Sequence, residues 1–473
     1  MSPLTLLLVV ATLPIVAILA LRRRRMGAVL ASVAGTALGA FMVGLALASP
    51  GEHPLARIAV VGIGVVSFVA FGGSHTYYRH KVAEGEYSQT DVSLIGAASI
   101  AFAVLLGAAS LADNIVVAWM LIEGTTILGV YLIAVGRHAH SVEAAWKFAV
   151  LCFTGVGFGL AGLGVLGAAA KAAHLPAPTT FAALASAAPH LAPLTVAAGL
   201  GLVFIGFGTK GGIFPFHWWL PDAHSQTPTP VSSLMSGALV PTALVLLART
   251  MLALPVAAAT LRPVLIAAGL LGLLLAILSI ANQRDAKRLL AYSTVEHMAL
   301  MTLALAIGNR AAMLAFAVHL LGHAVAKGSA FMGVGGLVEA AGSREIDRMA
   351  GSLSRAPLCS MLVVGSGASL VGFPIGPIFV SEVLLVVAAA QAGLVWLAAL
   401  VAVLLVVAAA VFSERMLKML MGAGHTAGTT LGVSFAAAPL LATVMGTALL
   451  VWRPTVVVDV VSAAAALVRG GGF

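Results

Sequence analysis

Residues 260–281, Thr-Leu-Arg-Pro-Val-Leu-Ile-Ala-Ala-Gly-Leu-Leu-Gly-Leu-Leu-Leu-Ala-Ile-Leu-Ser-Ile-Ala, form an apolar run with one charged residue, Arg262. An α-helix needs about 20 predominantly apolar residues to cross a bilayer. The run does not alternate apolar and polar residues, as a strand of a membrane barrel would. This stretch therefore predicts a transmembrane helix.

The same pattern recurs along the whole chain. Fourteen apolar runs lie at about 3–21, 27–49, 56–73, 92–112, 114–135, 145–170, 193–214, 231–252, 260–281, 287–307, 311–337, 358–390, 393–412 and 430–451. Of the 473 residues 61% are hydrophobic and 9% are charged, whereas soluble domains carry about 25% charged residues. The composition predicts an all-α polytopic membrane protein with about 14 spans. The first run precedes Arg22–Arg25, the reverse of the signal-peptide order, so we expect it to remain as a helix.

The basic residues predict the orientation of these spans. With 14 crossings, the face that carries Arg22–Arg25 holds 16 of the 25 Lys and Arg residues, the other face holds 7, and Lys210 and Lys327 fall inside spans. Loops on the cytoplasmic side of a membrane retain Lys and Arg. We therefore expect an inner-membrane protein with both termini on the non-cytoplasmic side. The net charge of +9 then indicates membrane orientation and not nucleic-acid binding.

Two predicted spans are interrupted by glycine and proline. Gly211-Gly-Ile-Phe-Pro215 breaks the seventh span, and Gly372-Phe-Pro-Ile-Gly-Pro377 breaks the twelfth. Simple proline kinks are one interpretation. Breaks at corresponding positions instead indicate two inverted five-helix repeats around a midplane ion site. The predicted organisation is three N-terminal helices in 1–91, repeats in 92–252 and 260–412, and a terminal helix and tail in 430–473.

Three isolated charges lie within apolar spans. Glu123, Lys210 and Glu382 each need a reason to be there, because an ionisable group at membrane depth costs several kcal/mol. Lys210 ends the first half of span 7 and Glu382 begins the second half of span 12, the helix ends that stabilise a cation and an anion. These positions indicate an ion path. For Glu123 the alternative is a structural role, in which its side chain forms a hydrogen bond between helices.

The strongest local pattern is His319, His323 and Lys327 at intervals of four residues. This spacing puts all three on nearly one helix face, about 6 Å apart per step. Burial disfavours their charged forms, so all three can exchange protons near neutral pH. Zinc binding by the histidines and simple packing are the alternatives. Neither Cys152 nor Cys359 has metal-ligand spacing, so we predict no metal, no cofactor and no bond chemistry on this chain.

Several polar residues near helix ends are candidates for proton entrances or supports. Lys147 is either an interfacial residue or the mouth of a half-channel. Asp222 fits a cap or turn residue better than a proton carrier, and His224 follows it. Glu296 and His297 are candidates for the cytoplasmic entrance of the second repeat.

The residues that precede this last pair open span 10. We expect Asp285, Lys287, Arg288 and Tyr292 to lie in a solvated loop.

Two motifs resemble the antiporter-like subunits of respiratory complex I, membrane-bound hydrogenases and multisubunit cation/proton antiporters. They are Phe214-Pro-Phe-His-Trp-Trp-Leu-Pro-Asp-Ala-His224 with the following Ser-Gln-Thr-Pro-Thr-Pro-Val231, and Asp285-Ala-Lys-Arg-Leu-Leu-Ala-Tyr-Ser-Thr-Val-Glu-His297. The Glu-His ending, Glu143-Ala-Ala-Trp-Lys-Phe148 and Arg344-Glu-Ile-Asp-Arg348 are most similar to hydrogenase-4 component F. The resemblance covers about residues 75 to 415. It implies a 14-helix fold with broken helices 7 and 12.

The resemblance also implies roles for the intramembrane residues. Glu123 is similar to the family's helix-5 glutamate, which modulates a helix-7 lysine, here Lys210. His319, His323 and Lys327 are similar to the helix-11 connectors, and Glu382 is similar to the helix-12 carboxylate that releases the proton. The implied partners are other membrane and peripheral subunits, the lipid bilayer, and protons or Na⁺.

Helix 8 departs from the family pattern. Many members carry a Lys or His where this chain has Gly237-Ala-Leu-Val-Pro241, so a titratable connector between Lys210 and the helix-11 group is missing. Ser232, Ser233, Ser236 or water could bridge the gap, or the two halves are uncoupled. The leading hypothesis is a proton-translocating subunit of a redox-driven complex. The alternatives are a proton channel that drives non-redox uptake, such as inorganic-carbon transport, and a structural membrane anchor.

Overall fold

The computed structural model describes residues 2–374, 376–422 and 430–452. Within these ranges the chain is almost entirely helical and has no strand, only two isolated bridges. The predicted tail after residue 452, with Arg453 and Arg469, lies outside the described residues. The all-α membrane fold predicted from the apolar runs is confirmed.

All 14 predicted spans are present as helices. The first six are α1 Pro3–Ala20, α2 Arg25–Leu47, α3 Pro54–Ala83, α4 Gln89–Leu111, α5 Ile115–Ala134 and α6 Ala139–Ala172. The middle spans are α7a Pro193–Lys210, α7b Trp219–Gln226, α8 Thr229–Ala253, α9 Pro255–Asn282, α10 Ala286–Ile307 and α11 Arg310–Ala341. The last are α12a Pro357–Leu370, α12b Pro377–Gln391, α13 Val395–Leu420 and α14 Val433–Trp452. Twelve helices in the described ranges are long and apolar enough to cross a bilayer alone. Three apolar segments are shorter, namely α12a, α12b and residues Val433–Gly446 of α14.

Some helices extend beyond their apolar runs. The run at 56–73 predicts a short third span, whereas α3 continues to Ala83. Its polar last turns are held by contacts to α11, where Lys81 Nζ lies 2.8 Å from Glu339 Oε2. A hydropathy pattern cannot register an ion pair between distant residues, which is why the end of α3 is predicted too early.

Contacts between helix ends agree with the predicted alternation of crossings. The Lys81–Glu339 ion pair joins the C-terminal ends of α3 and α11. Both are odd-numbered spans, so alternating crossings predict that they end at the same face of the membrane. The guanidinium of Arg249, near the end of α8, donates to the backbone oxygens of Ser110 and Ala112 at the end of α4. The ends of α4 and α8 share the opposite face.

The two helix breaks share a hydrogen bond and a left-handed glycine. The amide of Gly212 donates to the carbonyl of Thr209 at 3.2 Å, and the amide of Gly372 donates to that of Ser369 at 3.2 Å. Both glycines are in the left-handed region, with φ of 63° and 67°, which glycine adopts without strain. Broken helices 7 and 12 are therefore confirmed, while the division into repeats at 92–252 and 260–412 stays a prediction.

The interior of the bundle is built around α8 and α10. Of the most apolar 18 residues of each helix, the buried share is 100% in α8 and 94% in α10, but only 17% in α1. In the middle of α8, Met235–Leu239 form a π-helical turn, a local irregularity often found at functional sites. The intramembrane polar residues converge on this interior.

Candidate functional site

Glu123 and Lys210 are connected through a threonine. The ammonium of Lys210, fully buried at the end of α7a, donates to Thr126 Oγ1 at 2.5 Å. The same hydroxyl donates to Glu123 Oε2 at 3.1 Å. The resemblance implied a direct pair of Glu123 and Lys210, and the structure instead inserts one hydroxyl between them. Thr126 lies one helical turn after Glu123, so the i, i+3 spacing brings both onto one face of α5.

The other sides of the Lys210 ammonium are apolar. The ammonium lies 5.1 Å from the centroid of the Phe148 ring, and the buried thiol of Cys152 belongs to the same surroundings. The indole of Trp219 packs edge-on against Phe148 at 4.9 Å and donates to the backbone oxygen of Thr209 at 2.8 Å. This indole therefore binds the exposed carbonyl end of α7a and forms an aromatic wall beside Lys210.

Replacing Thr126 with valine is expected to lower proton flux at least about tenfold, because a bond between a charged donor and a buried acceptor contributes roughly 1.5–3 kcal/mol. Thr126→Ser keeps the hydroxyl and should retain most of the flux. Flux is measured with a pH-sensitive dye in vesicles that hold the purified chain. Equal flux in the valine and serine variants would show that the hydroxyl is not used.

A row of ion pairs ties the two halves of the protein together at one face. Asp222 Oδ2 lies 3.0 Å from Lys147 Nζ, and Asp222 Oδ1 lies 3.1 Å from a guanidinium nitrogen of Arg288. Lys147 is also 2.7 Å from Glu143. Asp222 lies inside α7b and does not cap it, so the expected cap or turn role is wrong. Its carboxylate joins α6, α7b and α10.

His224 is buried at the boundary between the two halves. Its side chain is fully buried, with its ring 5.0 Å from the ring of Phe331 and 6.5 Å from that of Trp219. Neither ring nitrogen has a hydrogen-bond partner among the described residues. A buried polar group without a protein partner is normally satisfied by water. The charges of Lys287 and Lys327 both act on this imidazole.

Lys287 is the clearest correction to the sequence analysis. Asp285 caps α10 by accepting the amides of Lys287 and Arg288. The expected solvated loop is wrong for Lys287, because its side chain is only 5% exposed and its ammonium donates to the carbonyl of Thr227 at 2.5 Å. The carbonyl that binds this lysine belongs to the segment between α7b and α8, and the local sequence does not reveal the contact.

Three histidines form the centre of the second half. His297 Nδ1 and His319 Nε2 lie 3.0 Å apart and share a hydrogen, and the ring centroids of His297 and His323 are 5.2 Å apart. All three side chains are buried. His297 was expected at the entrance of the second repeat, and the structure places it in the middle of the cluster. Glu296 is also buried, and its charge acts on Lys327.

Hydroxyls of α8 and α10 join this cluster to Lys327. Ser236 Oγ and Thr294 Oγ1 are 2.7 Å apart, and the carbonyl of Ser236 accepts from His323 Nε2 at 3.3 Å. Both Thr294 Oγ1 and the Lys327 ammonium donate to the carbonyl of Leu290, at 3.0 Å each. Ser236 lies in the π-helical turn of α8, next to the segment where a family lysine or histidine is missing.

The histidine cluster is one of two groups among the described residues whose ligand atoms could hold a metal, the other being His80, Glu84 and Glu339. Each of the three imidazoles offers one nitrogen, and these nitrogens lie within 4.8 Å of one another. Three neutral imidazoles are a ligand set that Zn²⁺ accepts. The direct hydrogen bond between His297 and His319 occupies one nitrogen of each ring, and it suits proton exchange. The zinc alternative therefore fits the donor types, while the observed bonding favours the relay.

The cluster continues to the break in helix 12. His319 Nδ1 lies 2.8 Å from Ser381 Oγ, and Ser381 precedes Glu382, whose side chain is 8% exposed. The carboxylate of Glu382 covers Gly372, since a Cβ built there would lie 2.2 Å from Glu382 Oε2. Glycine at 372 thus permits both the left-handed turn and the position of the carboxylate.

Gly372→Ala is expected to destabilise the protein by about 1–3 kcal/mol, the usual cost of a strained backbone position, and to displace Glu382. Gly365→Ala, also on helix 12, is the control because a Cβ there meets its nearest atom at an ordinary 3.5 Å. Thermal unfolding in detergent compares the two variants. Equal unfolding temperatures would contradict this account of the break.

The contacting hydroxyls are the residues that sequence reasoning missed. Thr126 and Ser381 each bond to a recognised titratable residue and lie within three residues of another, Glu123 or Glu382. That proximity was the available signal. Thr294 gives the same signal, because Glu296 and His297 follow it within one turn, but only the packing of α8 on α10 brings it to Ser236.

Comparison with known proteins identifies the family. Residues 112–409 match the family model described as NADH:quinone oxidoreductase/Mrp antiporter, TM. The chain belongs to this family of antiporter-like membrane subunits. The hydrogenase-4 component F homolog of Methylacidiphilum infernorum is 31% identical over 373 residues, which cover 77% of this chain and 78% of that protein.

Further matches extend the likeness. NADH-quinone oxidoreductase subunit N of Desulforudis audaxviator is 30% identical over 363 residues, 75% of this chain and 70% of that protein. A chain of the membrane-bound sulfane sulfur reductase, an archaeal respiratory membrane complex, aligns with a TM-score of 0.86 at 23% identity over 98% of both chains. The relatives are subunits of multisubunit membrane complexes, and the structural likeness agrees with the 14-helix fold.

Proposed function

We propose that this chain translocates protons across the membrane through its buried polar residues. The observation that carries the proposal is a row of titratable side chains and hydroxyls in the bundle interior. One hydrogen-bonded segment comprises Glu123, Thr126 and Lys210. The other comprises Lys327, the hydroxyls of Thr294 and Ser236, and the histidine cluster with Ser381, which are brought together at the carbonyls of Leu290 and Ser236. Buried ionisable groups in membrane proteins ordinarily mark such paths.

Aromatic rings connect the surroundings of Lys210 to His224. The Lys210 ammonium lies 5.1 Å from the Phe148 ring, Phe148 lies 4.9 Å from Trp219, and Trp219 lies 6.5 Å from His224. We infer that His224, with the hydroxyl of Ser232 bonded to its carbonyl at 3.1 Å, supplies the connector that helix 8 lacks. Glu123 then modulates Lys210, and Glu382 receives or releases the proton. Lys147, Asp222 and Glu296 support the path.

The organisation of the chain follows from the same proposal. Residues 92–252 and 260–412 are two inverted repeats, each with a break in its fourth helix, between 1–91 and 430–473. The matching hydrogen bonds at Gly212 and Gly372 support this division. Because each repeat crosses the membrane five times, an odd number, the second repeat begins at the membrane face opposite to the one at which the first begins. The positive-inside bias puts both termini on the non-cytoplasmic side of an inner membrane.

The chain works within a larger assembly. The relatives named as hydrogenase and NADH-quinone oxidoreductase components support a redox-driven complex, hydrogenase-like or complex I-like, in which other subunits hold the cofactors. Mass spectrometry of what co-purifies in mild detergent tests this assignment. Iron–sulfur or quinone-reductase subunits are expected. A single soluble partner without redox subunits would indicate a non-redox uptake system instead.

Proton uptake by the purified chain tests the function itself. The full chain is placed in vesicles that contain a pH-sensitive dye, and a potassium diffusion potential drives uptake. We expect proton flux well above that of protein-free vesicles, unchanged when sodium is replaced by choline. Flux that requires sodium would assign Na⁺ exchange instead, and no flux in any medium would favour a structural anchor.

A further inference from the structure

A cavity of about 540 Å³ opens between α2, α3 and α4, on the face that carries Arg22–Arg25. It lies outside the row of residues described above. Its polar lining includes Arg25 at the start of α2, His75 and Arg79 near the end of α3, and Tyr78 between them. The lining includes no carboxylate. The cavity is therefore positively charged on its polar side.

The basic groups of this cavity are not neutralised within the protein. Among the described residues, neither Arg25 nor Arg79 forms an ion pair or a side-chain hydrogen bond, although most other basic residues near this face do. The N-cap residue of α2, Arg24, offers no side-chain acceptor to the first amides of that helix. The positive end of a helix adds to the attraction for an anion.

Tyr78 gives a second and independent indication of a ligand. Its side chain is 6% exposed, and its hydroxyl is buried without any hydrogen-bond partner. The ring is fixed by edge contacts to Tyr77 at 5.2 Å and Tyr87 at 6.1 Å. Tyr78 is one of the residues that line the cavity, and a buried hydroxyl without a partner costs about 1–3 kcal/mol unless an entering ligand accepts its proton. A phosphate oxygen would do so.

The remaining lining consists of one polar residue, Gln89 at the start of α4, and an apolar wall. Ala28, Val29, Val82, Ala83 and Val92 form this wall. Val29 and the neighbouring Met26 are exposed on the outer surface of α2, which faces lipid in a spanning helix. A ligand with a phosphate at one end and hydrocarbon at the other matches both parts of this cavity.

We propose that the cavity binds the headgroup of an anionic phospholipid. Arg25 and Arg79 pair with the phosphate oxygens, the Tyr78 hydroxyl donates to one of them, and the acyl chains lie along Val29 and Val92. Basic pockets between transmembrane helices bind anionic headgroups in this way. The bound lipid connects the first three helices to α4, the first helix of the proposed first repeat.

Native mass spectrometry of the full chain, stripped of lipid and titrated with phosphatidylglycerol, tests the proposal. The wild type is expected to bind one phosphatidylglycerol tightly and phosphatidylcholine at least about tenfold more weakly. The Arg25→Gln/Arg79→Gln variant should lose about tenfold in phosphatidylglycerol affinity, and Tyr78→Phe severalfold. The control is Arg23→Gln/Arg24→Gln, which removes the same charge from exposed arginines that do not line the cavity. It should change affinity less than about twofold.

Three outcomes would overturn the assignment. Equal losses in the two double variants would mean general attraction to a basic surface. Equal affinity for phosphatidylcholine would mean that only the acyl chains are held. Competition by millimolar inorganic phosphate would identify a soluble anion as the ligand. Tyr78→Phe keeps the ring and its packing, so its result stands even if the double variant folds poorly.

Discussion

Lys210→Ala is expected to reduce voltage-driven proton flux at least about tenfold while the protein assembles normally. The ammonium donates to Thr126, and its other neighbours are the ring of Phe148 and the thiol of Cys152. A proton that crosses this region without it would be a charge among buried, largely apolar side chains, which costs several kcal/mol. Assembly should persist because Glu123 keeps its hydrogen bond from Thr126.

The matched control for this variant is Lys171→Ala. Lys171 lies exposed at the end of α6, so its removal changes the net charge equally without touching the path. Flux is measured in the same dye-loaded vesicles at equal protein content, with monodispersity checked by size exclusion. Wild-type flux in Lys210→Ala would remove this lysine from the mechanism.

A double substitution of His319 and His323 is expected to have the second large effect. His323→Ala alone should lower flux only about twofold to fivefold, because His297 and His319 remain hydrogen-bonded and water can occupy the space. The double alanine variant leaves His297 without either imidazole neighbour and breaks the contact to Ser381. A loss of at least about tenfold is expected, since proton transfer requires groups within hydrogen-bond reach.

Two comparisons separate proton transfer from packing in that variant. His140→Ala serves as a control, because the side chain of His140 is 82% exposed. Thermal unfolding reports any stability lost with the two imidazoles. Wild-type flux in the double variant, whatever its stability, would leave the histidines with a packing role only.

The fold was predictable because membrane helices are encoded locally. A run such as 260–281 has to be a helix, since no other single segment satisfies its own backbone in lipid. The two breaks are visible as Gly and Pro in sequence, and both glycines adopt the left-handed conformation that explains them. Helix ends were less predictable where a distant contact extends them, as the Lys81–Glu339 pair extends α3.

The site was predictable in its residue types but not in its connections. Lys210, His323 and Lys327 stand out as polar groups in apolar runs, and each is fully buried. Lys287 shows where prediction from local sequence fails. Its neighbours in sequence resemble a solvated loop, whereas the folded protein buries its side chain.

The place of His297 shows the same limit. His297 and His319 are 22 residues apart in sequence, and this separation does not indicate that their rings share a hydrogen. The hydrogen bond between them depends on the packing of α10 against α11.

The central claim is that protons cross the second half of the protein through Lys327 and the hydroxyls and histidines bonded near it. The most direct test compares proton flux through wild-type protein and Lys327→Met, a substitution that keeps length and removes the charge. The account predicts a wild-type flux well above protein-free vesicles and a Lys327→Met flux close to theirs. Equal flux in the two proteins, with Lys327→Met correctly folded, would contradict it.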